Sequence, residues 1–146
     1  MSLHLEPDEY RKLIELAYLG EWLINAHHDS EVQEEEASLV LQRLLAAAPA
    51  SELIAQDPET GDYFMKDVWV EQLYESYILD YDDHVFWDEL TERLAQRDLA
   101  RRRGVDMDGI SRDEDLMDLI PLEEKYHREL ETNGIDRLAI DPDYEA

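Results

Sequence analysis

The helical spacing of apolar residues between Pro7 and about His28 is the feature that most constrains this chain. One set recurs at i, i+3, i+4 and i+7, which is typical of a helix face: Tyr10, Leu13, Ile14, Ala17 and Ile24. A second set extends the apolar surface around the helix: Leu16, Leu19, Trp22 and Leu23. A helix that is apolar on most sides is usually the central helix of a bundle. Pro7 suits the first turn of this helix.

Similar spacing and capping residues predict further helices along the chain. We expect a second helix from Ser30, with Gln33 in a capping box and Pro49 after its end. The segment 49–62 carries turn residues and is expected to be a loop. The remaining helices are predicted over about 64–80, 83–103 and 111–133, and Pro121 either kinks the last one or begins a sixth helix.

The stretch YDDHVFWDEL at residues 81–90 is interpreted as the start of the helix over 83–103. Asp82 or Asp83 would be its N-cap. His84 and Asp88 would form a solvent-exposed i, i+4 pair. The acids and the histidine therefore do not converge on a site, and the question becomes whether the aromatic residues of this stretch face the core or a partner.

These elements predict an all-α fold, a single compact bundle of five to six helices joined by short loops. The length of 146 residues fits one domain over residues 1–146, with 132–146 as a loosely packed tail. An apolar content of 44% supplies a core despite the high polarity, so the charge does not indicate disorder.

The formal net charge is -25, from 38 acids against 13 bases, and the acids are spread along the chain. A field of this sign repels nucleic acid and anionic membranes and attracts basic proteins. We therefore expect a protein partner of basic character and no direct nucleic-acid or membrane binding. Salt adaptation and compositional bias are alternative explanations of the acidity.

The chain has no cysteine, which excludes disulfides and thiolate chemistry. The N-terminal residues lack the basic and apolar regions of a signal peptide, and no apolar stretch approaches the ~18 residues of a membrane span. These observations predict a cytoplasmic protein. No nucleophile, phosphate-loop or dinucleotide motif is present, and no cofactor or metal is predicted.

Glu21, Asn25 and His28 share one stripe of the first helix and form the candidate catalytic or metal-binding group. A carboxylate and an imidazole that line a cavity can transfer protons or hold a metal. The alternative is a structural network that ties this helix to a neighbour. Two weaker metal candidates are His27-His28-Asp29, whose adjacent imidazoles diverge on a helix, and the segment 104–115, which lacks the first and last ligands of a calcium loop.

Arg93, Arg97 and Arg101 recur at i, i+4 and i+8 and form a cationic stripe in an acidic chain. Guanidinium groups match carboxylates and phosphates, so this stripe is the predicted anion-binding surface. Pairing with acids, such as Glu89 four residues before Arg93, is the simpler explanation.

Eight of the aromatic residues fall within 63–87. Tyrosine and tryptophan combine an apolar body with a polar edge and suit interfaces. Some must be core, but we expect a few to be exposed. The predicted partner-binding residues are Tyr63, Trp69, Tyr74, Tyr77, Tyr81 and Trp87.

The sequence therefore favours a non-enzymatic interaction or regulatory module that binds a partner protein or self-associates as a homo-oligomer. One alternative is a DNA mimic that inhibits a nucleic-acid-binding protein through its carboxylates. The other is a hydrolase or metal-binding protein that uses the Glu21 and His28 group.

Overall fold

The computed structural model describes residues 4–28, 32 and 34–139, and these are mostly helical. In chain order the elements are α1 (Pro7–Asn25), α2 (Glu35–Ala47), β1 (Ile54–Gln56), β2 (Tyr63–Met65), α3 (Asp67–Leu73), a π-helical segment (Tyr74–Ile78), α4 (Leu79–Arg103), a 3-10 turn (Met107–Gly109) and α5 (Arg112–Asn133). The predicted helical class is confirmed. The expected count of five to six helices is not, because α3, the π-helical segment and α4 follow one another without a break.

The start of α1 follows the predicted signals. Pro7 occupies the first turn, and the Glu9 carboxylate accepts a hydrogen bond of 2.9 Å from the Glu6 backbone N–H. This reciprocal capping satisfies donors that the first turn leaves unpaired. The helix ends at Asn25, three residues before the predicted end at His28.

The second helix begins at Glu35, later than the predicted start at Ser30. Ser30 and Gln33, the predicted capping-box pair, lie outside the described residues. Glu35 and Glu36 occupy the first turn of α2, where the helix dipole favours negative charge.

The predicted loop over 49–62 contains the first strand of an antiparallel hairpin. Ile54 pairs with Met65 and Gln56 with Tyr63. The Asp57 carboxylate accepts a hydrogen bond of 2.7 Å from the Glu59 N–H, and Gly61 adopts a φ of 80° in the turn. An Asx turn followed by a glycine in the left-handed region closes the hairpin.

Residues 67–103 form one uninterrupted helix, so the prediction that Asp82 or Asp83 caps a new helix is wrong. Both aspartates are exposed within the helix, where water solvates their charge. The Asp83 carboxylate accepts a hydrogen bond of 3.0 Å from the Trp87 indole N–H. The predicted exposed pair of His84 and Asp88 is confirmed, with 3.3 Å between Nε2 and Oδ2.

Pro121 lies inside α5, which continues from Arg112 to Asn133, so no sixth helix begins there. At the N-terminus of α5, the Ser111 backbone N–H donates to the Asp115 carboxylate at 2.9 Å, one residue beyond Glu114, which has the spacing of a capping box. Gly104 ends α4 and Gly134 ends α5, both with positive φ, as expected for C-terminal glycines. The predicted tail begins within the last turn of α5 and leaves the described residues after 139.

Contacts divide the chain into two compact units, unit 1 (residues 1–80) and unit 2 (residues 81–146). The core of unit 1 contains Ile14, Leu45, Met65, Trp69 and Leu73. The core of unit 2 contains Leu94, Ala95, Leu99, Leu119, Leu122, Tyr126 and Leu130. Each large side chain buried in this way stabilises its unit by roughly 1.5–3 kcal/mol. The single domain expected over 1–146 stays a prediction.

Candidate functional site

Glu21 and Asn25 form a hydrogen-bond network between α1 and α2. The Asn25 amide donates to the Glu21 carboxylate at 3.1 Å, and the Ser38 hydroxyl donates to the same carboxylate oxygen at 2.8 Å. The Asn25 side-chain oxygen accepts from the Glu34 backbone N–H at 2.8 Å. Asn25 is 5% exposed, so these bonds satisfy polar groups that would otherwise be buried at a cost of about 1–3 kcal/mol each.

His28 is not part of this network. Its side chain is exposed, its ring centroid lies 4.1 Å from that of His27, and it makes no side-chain hydrogen bond within the described part of the chain. Acid/base chemistry needs a proton acceptor within hydrogen-bonding distance. The partners of Glu21 are instead an amide and a hydroxyl, an arrangement that fixes the two helices.

Metal-ligating side chains do not cluster in residues 4–28, 32 and 34–139, where no group of three or more His, Cys, Asp or Glu is arranged to hold an ion. The calcium-loop candidate at 104–115 contains the 3-10 turn and the start of α5. Within it, the Asp115 carboxylate pairs with Arg103 at 2.7 Å.

The predicted partner-binding aromatics fall into two groups. Trp69 is 2% exposed and belongs to the unit 1 core, and Tyr63 packs against the same core. Trp87 packs against the unit 2 core. Tyr74, Tyr77 and Tyr81 are 41%, 48% and 54% exposed. The exposed residues of this set are therefore the three tyrosines.

The surroundings of these tyrosines are acidic. Between Lys66 and Arg93 the chain holds nine Asp and Glu and no Lys or Arg. Eight of these acids are exposed: Asp67, Glu71, Glu75, Asp80, Asp82, Asp83, Asp88 and Glu89. The Lys12 ammonium lies 5.9 Å from the Tyr77 ring centroid, near the outer limit for a cation–π contact. The helix thus presents aromatic rings among exposed carboxylates, of which Asp88 and Glu89 pair with His84 and Arg93.

The three arginines predicted to bind an anion differ in their ion pairs. Arg93 pairs with Glu89 at 3.0 Å, as its spacing predicts. Arg97 pairs with the adjacent Asp98, also at 3.0 Å. Arg101 is exposed and has no ion pair among the described residues. Arg97 also lines a cavity in unit 2, together with two cations that the sequence did not single out, Lys125 and Arg137.

Two carboxylates with perturbed pKa values were also missed. The Glu15 cluster comprises Glu15, Trp69, Arg11 and Lys12. Glu15 accepts hydrogen bonds from the Trp69 indole N–H at 3.2 Å and from Lys12, and Arg11 lies 3.5 Å away. Burial raises the Glu15 pKa, but these donors and charges lower it by more than burial raises it. The pKa therefore lies below its ordinary value.

The Asp98 cluster comprises Asp98, Tyr126, Arg97 and Lys125. Asp98 accepts hydrogen bonds from the Tyr126 hydroxyl and from Arg97, and the Lys125 ammonium lies 3.6 Å away. Burial raises the Asp98 pKa, and the hydrogen bonds and charges outweigh it, so that the pKa lies below its ordinary value. The sequence signal for this cluster is weak, because Tyr126 and Lys125 lie 28 and 27 positions after Asp98.

Comparisons with protein-family models, curated proteins and solved structures gave no significant match. The described helices include none that combines the length and the apolar character needed to cross a membrane.

Proposed function

We propose that this chain is a non-enzymatic interaction module whose helical stretch over 67–80 in unit 1 binds a basic partner protein. The observation that carries the proposal is the exposure of Tyr74 and Tyr77 on a helical stretch without Lys or Arg. Exposed aromatic side chains supply contact area, and their ring faces attract cations. The cytoplasmic location expected from the sequence is part of this proposal.

Charge favours a basic partner over a second copy of the chain. Two copies that met through this helix would bring exposed carboxylates of like sign together, which is unfavourable. A surface rich in Arg and Lys would instead pair with the carboxylates and stack on the tyrosine rings. Self-association and binding to the basic groove of a nucleic-acid-binding protein remain the alternatives that the experiment below distinguishes.

The test compares three forms of the full chain as bait in lysate of the source cells: wild type, the double variant Tyr74→Ala/Tyr77→Ala, and Phe64→Ala. Phe64 is the matched control, because it is an aromatic residue of unit 1 with 46% exposure that lies outside the helix. We expect a basic protein that wild type and Phe64→Ala retain and that the double variant loses by about tenfold or more, as for an interface hot spot.

Binding of the purified partner should weaken as salt is raised, because the carboxylates contribute through screened charges. Equal retention by all three baits would contradict the proposal. Sedimentation of each form separates the alternatives. If wild type sediments as a dimer and the double variant as a monomer, the helix serves self-association. A partner that nucleic acid displaces from the bait would assign it to DNA mimicry.

A further inference from the structure

A cavity of about 290 Å³ in unit 2 brings together three of the 13 basic residues of this acidic chain. Its principal lining residues are Arg97, Lys125, Tyr126, Leu130, Arg137 and Leu138. Cations at a cavity wall attract an anionic ligand when their charge is not fully neutralised. The charges and donors around the cavity therefore decide what it can bind.

One carboxylate serves two of these cations. Asp98 Oδ1 accepts from Arg97 Nε at 3.2 Å and from Arg97 Nη2 at 3.0 Å. The Lys125 ammonium lies 3.6 Å from Asp98 Oδ2, beyond hydrogen-bonding distance, while the Tyr126 hydroxyl donates to the same oxygen. Arg97 and Lys125 thus share a single negative charge.

The third cation, Arg137, is held at one nitrogen. Its Nη1 lies 3.2 and 3.3 Å from the two carboxylate oxygens of Glu129, which also lines the cavity. Within the described residues no hydrogen bond is made by Nε or Nη2 of Arg137, or by Nη1 of Arg97. Guanidinium groups with uncommitted donors are suited to bind a carboxylate.

The other walls of the cavity are apolar. Leu130 is 6% exposed and Leu138 is 42% exposed. Gly134 lies between them in the sequence and adds no side chain to the lining. A ligand that fills this cavity would place a hydrophobic body against the leucines and its charge against the cations, the combination found in most small-molecule sites.

We propose that this cavity binds a small organic carboxylate with an apolar body. Three cations face two carboxylates, Asp98 and Glu129, so the site has an excess of one positive charge, which matches a monoanion. The site shares no residue with the helical stretch proposed to bind a partner, and neither proposal depends on the other.

The acidity of the chain opposes anion binding at low salt but not at physiological ionic strength. Residues 81–146 hold 20 acids against nine Lys and Arg. Salt at 0.15 M screens exposed charges beyond about 8 Å, whereas direct contacts inside a cavity are screened less. Binding should therefore persist at this ionic strength.

Benzoate is the probe, and the shifts of the Leu130 and Leu138 methyl groups in NMR spectra of the full chain are the readout. At constant ionic strength we expect saturable shifts with a Kd on the order of millimolar, as suits a ligand of this size. Benzamide, which is neutral, and acetate, which lacks the ring, should each bind about tenfold or more weakly. Saturation by benzamide at the benzoate concentration, or no saturation by benzoate, would overturn the proposal.

Substitutions test the donors. Arg137→Gln and Lys125→Gln should each weaken benzoate binding by about tenfold, the size of one charge-assisted hydrogen bond. Arg93→Gln is the matched control, since Arg93 is exposed, pairs with Glu89 and does not line the cavity. Equal weakening by the control, or unchanged binding in both cavity variants, would also overturn the proposal. If inorganic phosphate competes with benzoate more strongly than acetate does, the preferred ligand class is a phosphate and the carboxylate assignment is wrong.

Discussion

Glu15 in unit 1 and Asp98 in unit 2 each accept a hydrogen bond from an aromatic side chain and each lie beside two cations. They differ in where these partners come from. Arg11 and Lys12 precede Glu15 by one turn of α1, and only Trp69 comes from another element. Asp98 instead joins α4 to α5, because both Lys125 and Tyr126 belong to α5.

The difference shows that a carboxylate with an aromatic donor and two cations can either support a core or lie at the edge of a cavity. Glu15 is the more enclosed, with 10% of its side chain exposed against 20% for Asp98. Its cluster satisfies the N–H of a core tryptophan and thereby supports the packing of unit 1. The Asp98 cluster sits at the edge of a cavity, where its cations keep donors for a ligand.

The largest effect is expected from Trp69→Ala. This substitution removes a core side chain that is 2% exposed and also a hydrogen bond to Glu15, so unit 1 should lose about 3–5 kcal/mol of unfolding free energy. Urea denaturation followed by circular dichroism measures the loss. A loss below about 1 kcal/mol would show that Trp69 does not organise the unit 1 core.

A smaller effect is expected from removal of the aromatic donors alone. Tyr126→Phe leaves the ring and takes the hydroxyl from Asp98, which should cost about 1–3 kcal/mol. Trp69→Phe removes the donor to the more enclosed Glu15 and also leaves unfilled volume, so it should cost more than Tyr126→Phe. The reverse order in urea denaturation would mean that Asp98 depends more on its aromatic donor than Glu15 does.

Acid should destabilise both units through these carboxylates. The ordinary pKa is 4.5 for Glu15 and 3.8 for Asp98, and both are lowered in the folded chain. A lowered pKa means that the stabilisation is complete above the ordinary value and is lost as pH falls through the folded value. At pH values below about 5, the urea concentration at the midpoint of unfolding should therefore decrease. Glu15→Gln or Asp98→Asn should make this pH dependence weaker. Glu89→Gln, an exposed carboxylate, is the control, and an equal flattening by it would contradict the assignment.

The smallest effect is expected from the exposed ion pairs. Arg93→Gln and His84→Ala break i, i+4 pairs whose members are more than half exposed, and each should change the unfolding free energy by less than about 0.5 kcal/mol. Thermal denaturation at two salt concentrations measures this. A larger loss in either variant would contradict the expectation that exposed ion pairs contribute less to the unfolding free energy than the more buried Glu15 and Asp98 clusters do.

Sequence reasoning found the helical class, the start of α1 and the exposed His84–Asp88 pair, because each depends on neighbours within one helical turn. It divided the long helix at Asp82 and Asp83, since an acidic pair is a common N-cap signal, although no glycine or proline interrupts residues 67–103. The π-helical segment also shifts the phase of the helix, so that Ile78, five residues after the buried Leu73, is buried and Tyr77 is exposed.

The candidate sites show the same limit. Glu21 and Asn25 were paired correctly because they are four residues apart, and the structural-network alternative accounts for their contacts. The cavity residues Lys125 and Arg137 were missed, since their meeting with Arg97 depends on how α5 packs against α4. No local spacing encodes that packing. The scarcity of basic residues in this acidic chain was the one sequence signal that could have pointed to Lys125 and Arg137.

The absence of Lys and Arg from 67–92 has a practical consequence for mass spectrometry. Trypsin cleaves after Lys and Arg, so the unfolded chain yields the whole stretch 67–93 as a single peptide of 27 residues. This peptide carries Tyr74, Tyr77 and Tyr81 together with both Trp69 and Trp87. A cross-link from a partner to any of the three tyrosines would therefore appear as a mass change of this one fragment, and the intact peptide would report the unbound fraction.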